Sequence, residues 1–237
     1  MTPLRRALAE RREQFDTHFA LVRAMEDKIF EGQVVSIGET ELSIRHLMTM
    51  KSGLLVHLYN VVEATMNGVM ETVGLAIGAV PPTEWTDAAL KEWLRKHAAV
   101  LSEGGEEGRL KIAHSAARNL LGTVAADRRS LKKPSGTWTD ELVYTVAKRL
   151  GIRLRLPPDL YRRLRKRPDL RDLTPLGFVA DRRNAIAHGR RSFEDGAKEI
   201  PLALVRELAD VTFDFLNPVA EMFEGYVTTE GFRVTRA

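Results

Sequence analysis

The segment "DRRNAIAHGRR", Asp181 to Arg191, sets four arginines, an asparagine and a histidine around the small apolar trio Ala185, Ile186 and Ala187. Asn184 and His188 are four apart and share one face of a helix. Arg183 and His188 are five apart, which puts them about 140° from one another at roughly 100° per residue. They do not stack along one face, so a long arginine side chain or a second copy of the protein has to close the gap. Imidazole gives and takes protons near neutral pH. A guanidinium keeps its charge and offers a planar donor fork to phosphate. An asparagine can orient an imidazole or a substrate oxygen. These are the parts for attack of an RNA 2′-hydroxyl on the adjacent phosphate. Histidine serves as base or acid, Arg183 faces the developing negative charge, and no metal is required. The competing reading makes His188 a C-terminal helix cap and the arginines salt-bridge partners.

Both halves of the segment need a helix to hold them, and the flanking residues punctuate one. In "TPLGFVADRRNAIAHG", Thr174 can cap, Pro175 takes the first helical position and Gly189 follows the last. Leu176, Val179 and Ile186 can face a core. A final helix from Pro201 to about Glu224 carries an apolar stripe of Leu204, Leu208, Val211, Phe215 and Val219.

Upstream, Pro3 to about Phe30 reads as an amphipathic helix, with room for one break, on apolar positions that include Leu8, Phe15, Phe19, Leu21 and Val22. "GQVVSIGETELSI" then fits a small hairpin near residues 33–44, or an irregular loop. Ile44 to Gly78 reads as a strongly apolar helix with one polar stripe, His57, Asn60, Glu63 and Asn67, at spacings of three, three and four. That stripe either meets solvent and neighbouring caps or forms one wall of a site. In the second case Asn60 and Glu63 line a cleft, with Glu63 ordering an arginine or histidine; a buried Glu63 paired with Arg182 or Arg183 would serve structure equally well. Tyr59 reads as core or interface, and His57, His97 and His114 as ordinary.

"VPPT" ends that helix, and Thr86 or Asp87 can cap the next. "SEGGEEG" reads as a loop and Leu110 to Asp127 as a further helix. "RRSLKKPSG" is a basic loop. "TDELVYTVAKRLGI" has a cap at Thr139 or Asp140 and a stop at Gly151. "RLRLPPDLYRRLRKRPDLRDL" is a basic short helix and connector. No internal repeat, low-complexity tract or long linker interrupts the chain, so the expectation is all-α: one helical bundle over 1–237 with a small hairpin inserted.

Charge suggests a partner. From Arg109 to Arg191 there are 21 lysines and arginines against 7 aspartates and glutamates, a balance of +14 within a chain whose net charge is +4. The remainder therefore carries −10. A basic region in an otherwise acidic protein suits a polyanion such as nucleic acid, or is a solvated face or a match to the protein's own acidic surface. The absence of cysteine excludes disulfides, thiolate metal sites and cysteine nucleophiles, and fits a reducing compartment. "MTPLRRALAERREQFD" lacks the apolar stretch of a signal peptide, and the longest apolar runs are broken by charge or glycine. A cytoplasmic protein with no membrane partner is expected. No histidine and carboxylate pair has metal-ligand spacing, so neither a metal nor another cofactor is expected.

"RRNAIAHG" resembles the signature of the HEPN superfamily: an arginine, four to six residues, then a histidine, often with a polar residue directly after the arginine. Arg183, Asn184 and His188 match it position by position. "LLVHLYNVVEATMNGV", then "PSGTWTDELVYTVAKRLGI", then the arginine–histidine helix resemble a prokaryotic HEPN-like nuclease family, the MAE type, from about Leu47 onward. The resemblance implies a helical bundle that homodimerises and brings two motifs around one composite cleft. It implies a metal-independent endoribonuclease, acting as a toxin with a cognate antitoxin or as an antiviral defence effector. It equally allows a non-catalytic module that binds RNA or a nucleotide. Some HEPN toxins carry a tyrosine two residues past the histidine, where an antitoxin adds a nucleotide. Here that position is Arg190, so neutralisation at a tyrosine there is not expected. Arg182, Arg190 and Arg191 are then expected to contact RNA phosphate.

Overall fold

The computed structural model describes residues 2–101, 105–122 and 130–234, with side chains for all of these except 96–101. The fold is mostly helical with one small antiparallel sheet. Two compact units account for it. One comprises Met1–Thr65, Thr137–Asp140 and Leu156–Pro218; the other comprises Met66–Gly136, Glu141–Arg155 and Val219–Ala237.

The first unit opens with helix α1, Pro3–Phe30, which runs unbroken because its apolar spacing keeps Leu8, Phe15, Phe19, Val22 and Met25 on one buried face. Leu21, although apolar, lies off that face and is exposed. The hairpin follows as β1, Val35–Ile37, and β2, Thr40–Leu42, paired with Val35 opposite Leu42 and Ile37 opposite Thr40. Helix α2, Ile44–Ile77, then begins. Its stretch within this unit buries Leu54, Leu58 and Val62, and the Phe15 ring meets Phe213 edge-on at 6.1 Å. After α6, Pro158–Arg163, comes α7, Pro175–Ala187, then the short α8, Phe193–Gly196, and the start of α9, Leu202–Thr228.

The second unit takes the end of α2, α3 (Asp87–Leu101), α4 (Glu106–Leu121), α5 (Asp140–Arg149) and the end of α9. Thr86 caps α3, accepting from the Ala89 N–H at 3.3 Å. Trp85 and Trp93 pack at 5.5 Å, and the Trp85 indole donates to the Ile77 carbonyl at 2.9 Å, closing the end of α2.

Two boundaries differ from expectation. Helix α4 starts at Glu106, one turn before Leu110, because Gly105 lets the chain enter while Glu106 and Glu107 place negative charge at the positive end of the helix. It ends at Leu121, short of the expected Asp127, with Gly122 extended; residues 123–127 lie outside the described residues. Helix α9 runs a turn past Glu224 and continues through Pro218, where the neighbouring Asn217 amide donates to the Phe213 carbonyl at 3.1 Å. Among the described residues no helix is long and apolar enough to cross a membrane.

Close packing ties α8 to α7. A Cβ built on Gly196 would lie 2.6 Å from Cδ1 of Ile186 and 2.6 Å from Oγ of Ser52. Gly196→Ala is therefore expected to destabilise the protein by about 1–3 kcal/mol, the usual cost of overpacking a filled site. Urea unfolding measures it, and a variant as stable as the wild type would show that the neighbouring side chains relax freely.

Candidate functional site

Helix α7 is seated at both ends. Thr174 accepts from the Gly177 N–H at 3.1 Å and donates to Asp140 at 2.6 Å, and Pro175 takes the first turn. At the other end His188 is the C-cap, Gly189 has φ +67°, and the Arg191 N–H returns to the Ala185 carbonyl at 3.0 Å. The left-handed conformation at Gly189 is one that glycine adopts without a Cβ penalty. Val179, Ala185 and Ile186 are buried, which fixes the rotation of the helix about its axis. That rotation separates two adjacent arginines. At about 100° per residue, Arg182 turns inward while Arg183 stays at the surface of the unit.

Arg183 sits at a junction of three segments. Its guanidinium carbon lies 4.7 Å from the centre of the Tyr59 ring on α2, within cation–π range. Nη2 is 3.6 Å from Glu63, also on α2, and Nη1 donates to the Asn184 side-chain oxygen at 3.2 Å. Asn184 in turn donates to the Thr137 hydroxyl at 2.8 Å, while the Tyr59 hydroxyl accepts from the Trp138 N–H at 3.2 Å. Arg183 and Glu63 remain about three-tenths exposed, with side-chain values of 29% and 30%. The result is an oriented guanidinium at the surface, stacked on a buried ring and flanked by one carboxylate and one amide.

His188 is exposed, and among the described residues no hydrogen bond or ion pair engages its ring. Its backbone N–H donates to the Asn184 carbonyl at 3.0 Å, but the Asn184 amide is taken by Arg183 and Thr137 rather than by the imidazole. Arg183, Asn184 and Glu63 are thus brought together; the side chains of His188 and Asn60 form no hydrogen bond or ion pair with them. Asn60 and Asn67 are exposed. His57, the fourth member of the stripe, turns toward α1, where its Nδ1 lies 3.3 Å from Nδ1 of His18. Burial lowers both imidazoles below their ordinary value, and the neighbouring His57 lowers His18 further.

Arg182 does not line the cleft. It is buried at 2% exposure, with its guanidinium 4.9 Å from the Phe178 ring and Nη2 2.8 Å from Glu199. Arg171 and Arg191 reach the same carboxylate, each at 3.1 Å, and Arg191 also donates to the Asp195 carbonyl at 3.0 Å. Arg191 is therefore committed to the fold, leaving Arg190 as the exposed arginine after the motif, 3.8 Å from Asp181. Among the described residues no group of three or more His, Cys, Asp or Glu side chains is placed to hold a metal ion. Thr137 and Glu199 are the partners that sequence reading missed; each is a lone polar residue, far along the chain from the arginine or asparagine it serves.

Glu199 sets an acid limit on this arrangement. Partial burial raises its carboxyl, but hydrogen bonds from Arg182, its own backbone N–H and Arg191, with the Arg182 charge, outweigh that and bring it from 4.5 to about 2. A carboxyl held below its unfolded value stabilises the fold above pH 4.5 and loses that contribution as pH falls toward 2. Glu199→Gln is expected to cost about 2–4 kcal/mol at pH 7, because it leaves the buried Arg182 guanidinium without its charge partner. The gap to wild type should narrow at pH 3. Denaturant unfolding at both pH values checks this, and a constant gap would remove Glu199 from the acid response.

Set against protein-family models, curated proteins and solved structures, the chain matches none of them, so the site is described by its own geometry.

Proposed function

We propose that the chain is a metal-independent endoribonuclease acting as a homodimer, in which Arg183 and His188 of each copy converge on one RNA phosphate. The observation that carries this reading is Arg183 held over Tyr59 beside Asn184 and Glu63, with an exposed, unengaged His188 imidazole at the end of the same helix. At about 100° per residue positions 183 and 188 lie about 140° apart, a gap that a second copy closes around a phosphate.

The chemistry follows from these groups. One imidazole takes the 2′-hydroxyl proton while the 2′-oxygen bonds to phosphorus. The bond from phosphorus to the 5′-oxygen breaks, and the partner's imidazolium supplies the proton that the leaving oxygen needs. The arginines face the phosphoryl oxygens, where negative charge accumulates. The products are a 2′,3′-cyclic phosphate and a 5′-hydroxyl. Single-stranded or loop RNA suits the step, because in-line attack requires a flexible backbone. The basic balance of residues 109–191 supports a polyanionic substrate. A cytoplasmic toxin or defence effector, restrained by an antitoxin or a defence-system partner, is the setting in which this activity makes sense.

A second reading, a module that binds RNA or a nucleotide without cutting it, is favoured by one observation. The His188 ring forms no hydrogen bond with Arg183, Asn184 or Glu63 among the described residues, so these groups do not align it for proton transfer. Cleavage of single-stranded RNA by purified protein in excess EDTA separates the two. Wild type is expected to leave 2′,3′-cyclic ends, and His188→Ala to lose at least about 100-fold in rate. Stability should change by less than about 0.5 kcal/mol, because the ring is exposed and unengaged. Arg183→Ala should lose about as much activity. Full activity in either variant would sink the assignment, and tight binding with no cleavage by wild type would favour the second reading.

A further inference from the structure

The basic connector before α7 contains two kinds of arginine. Pro158–Arg167 has five basic residues against one acidic residue. Arg163 is held by Asp214 at 2.7 Å, and Arg167 by Asp169 and Glu207. Arg162 and Arg165 are exposed and have no ion pair among the described residues. They are not far apart. The Arg165 N–H donates to the Arg162 carbonyl at 3.3 Å, closing a turn at the end of α6 that puts the two residues at a three-residue spacing. Both lie near the C-terminal end of α6, where positive charge is compatible with the helix dipole. Tyr161, directly before Arg162, is 44% exposed, with its hydroxyl accepting from the Leu156 N–H at 3.4 Å. Leu160 and Leu164 are buried and seat the turn, so the basic residues and the ring are presented from an anchored element.

Two uncompensated guanidinium groups beside an exposed aromatic ring fit a single-stranded polynucleotide, whose phosphates take the charges and whose bases stack on the ring. We infer that Tyr161, Arg162 and Arg165 form a second RNA-binding surface, separate from the Arg183–His188 motif, that holds the strand beyond the cleavage point. The inference rests on RNA being the substrate of that motif. The Arg167 N–H bonds to the Leu173 carbonyl just before α7. The motif lies nine to fourteen residues beyond Thr174, roughly 14–21 Å along the helix at 1.5 Å per residue. A strand of many nucleotides can run from the motif past the start of α7, a span longer than a dinucleotide.

The test uses full-length protein and a fluorescein-labelled 20-nucleotide single strand with 2′-O-methyl ribose, which cannot undergo 2′-hydroxyl attack. Anisotropy gives Kd from 50 to 300 mM KCl. Arg162→Gln/Arg165→Gln is expected to weaken binding about tenfold at 100 mM. It should also reduce the slope of log K against log salt by about 1.4, at roughly 0.7 for each phosphate that is no longer neutralised. Tyr161→Ala should weaken binding with the slope unchanged. Dinucleotide cleavage and the unfolding midpoint should match wild type in the double variant.

If wild type cleaves nothing, the ribonuclease reading falls while the binding data still decide this surface. Equal affinity and slope in the double variant would overturn the inference. So would a loss of binding to phosphatidylserine vesicles with RNA binding intact, since the surface would then serve a membrane. A lowered midpoint would also count against it, by assigning the arginines to the fold.

Discussion

A guanidinium taken out of water needs a counter-charge, and Arg182 is one of the few buried charges in this protein. Glu199 supplies that counter-charge from the chain that follows α8, and in doing so it also gathers Arg171 and Arg191. One carboxylate therefore fixes the approach to α7, its interior and its exit together. The end of α7, where His188 and Gly189 stand, is held through the same cluster and through the packing of Gly196 against Ile186. The loop from Gly189 to Ser192 is held further by Arg191 donating to the Asp195 carbonyl and by the Ser192 hydroxyl accepting from the Asp195 N–H.

The candidate site uses what that anchoring leaves at the surface. Tyr59 lends its ring to Arg183 while its hydroxyl is engaged by Trp138, so the platform beneath the guanidinium is rigid. Asn184 is braced by Thr137. An arginine with its orientation already set loses less freedom on meeting phosphate than one that must be ordered, which is the physical advantage of pre-organisation. Glu63 moderates this by offering a competing anion. Its distance, longer than a hydrogen bond, suits a partner that can yield.

Features with local causes were legible in the sequence. Thr174, Pro175 and Gly189 mark α7 because a cap, a fixed φ and a left-handed exit are each the property of a single residue. The hairpin was legible as one of two options, since a three-residue strand carries little pattern. The all-α class followed from apolar spacing over many turns. The division of labour between Arg182 and Arg183 was not legible. Helix α7 buries residues around most of its circumference, so its sequence has no clean polar face to say which arginine points inward. Glu199 lies 17 residues beyond Arg182 in a loop, and no periodicity connects them. Thr137 is more remote still, 47 residues before Asn184.

The adjacent arginines also bear on how this protein can change over time. Two identical neighbours, encoded by consecutive codons, face opposite selective filters. Replacement of Arg182 is felt first as a lower amount of folded protein, whatever the chemistry at the motif. On the proposed reading, replacement of the part-exposed Arg183 falls mainly on RNA cleavage. If Arg183 serves the proposed cleavage, lineages without that activity can drift at 183 while the buried Arg182 stays fixed by the fold.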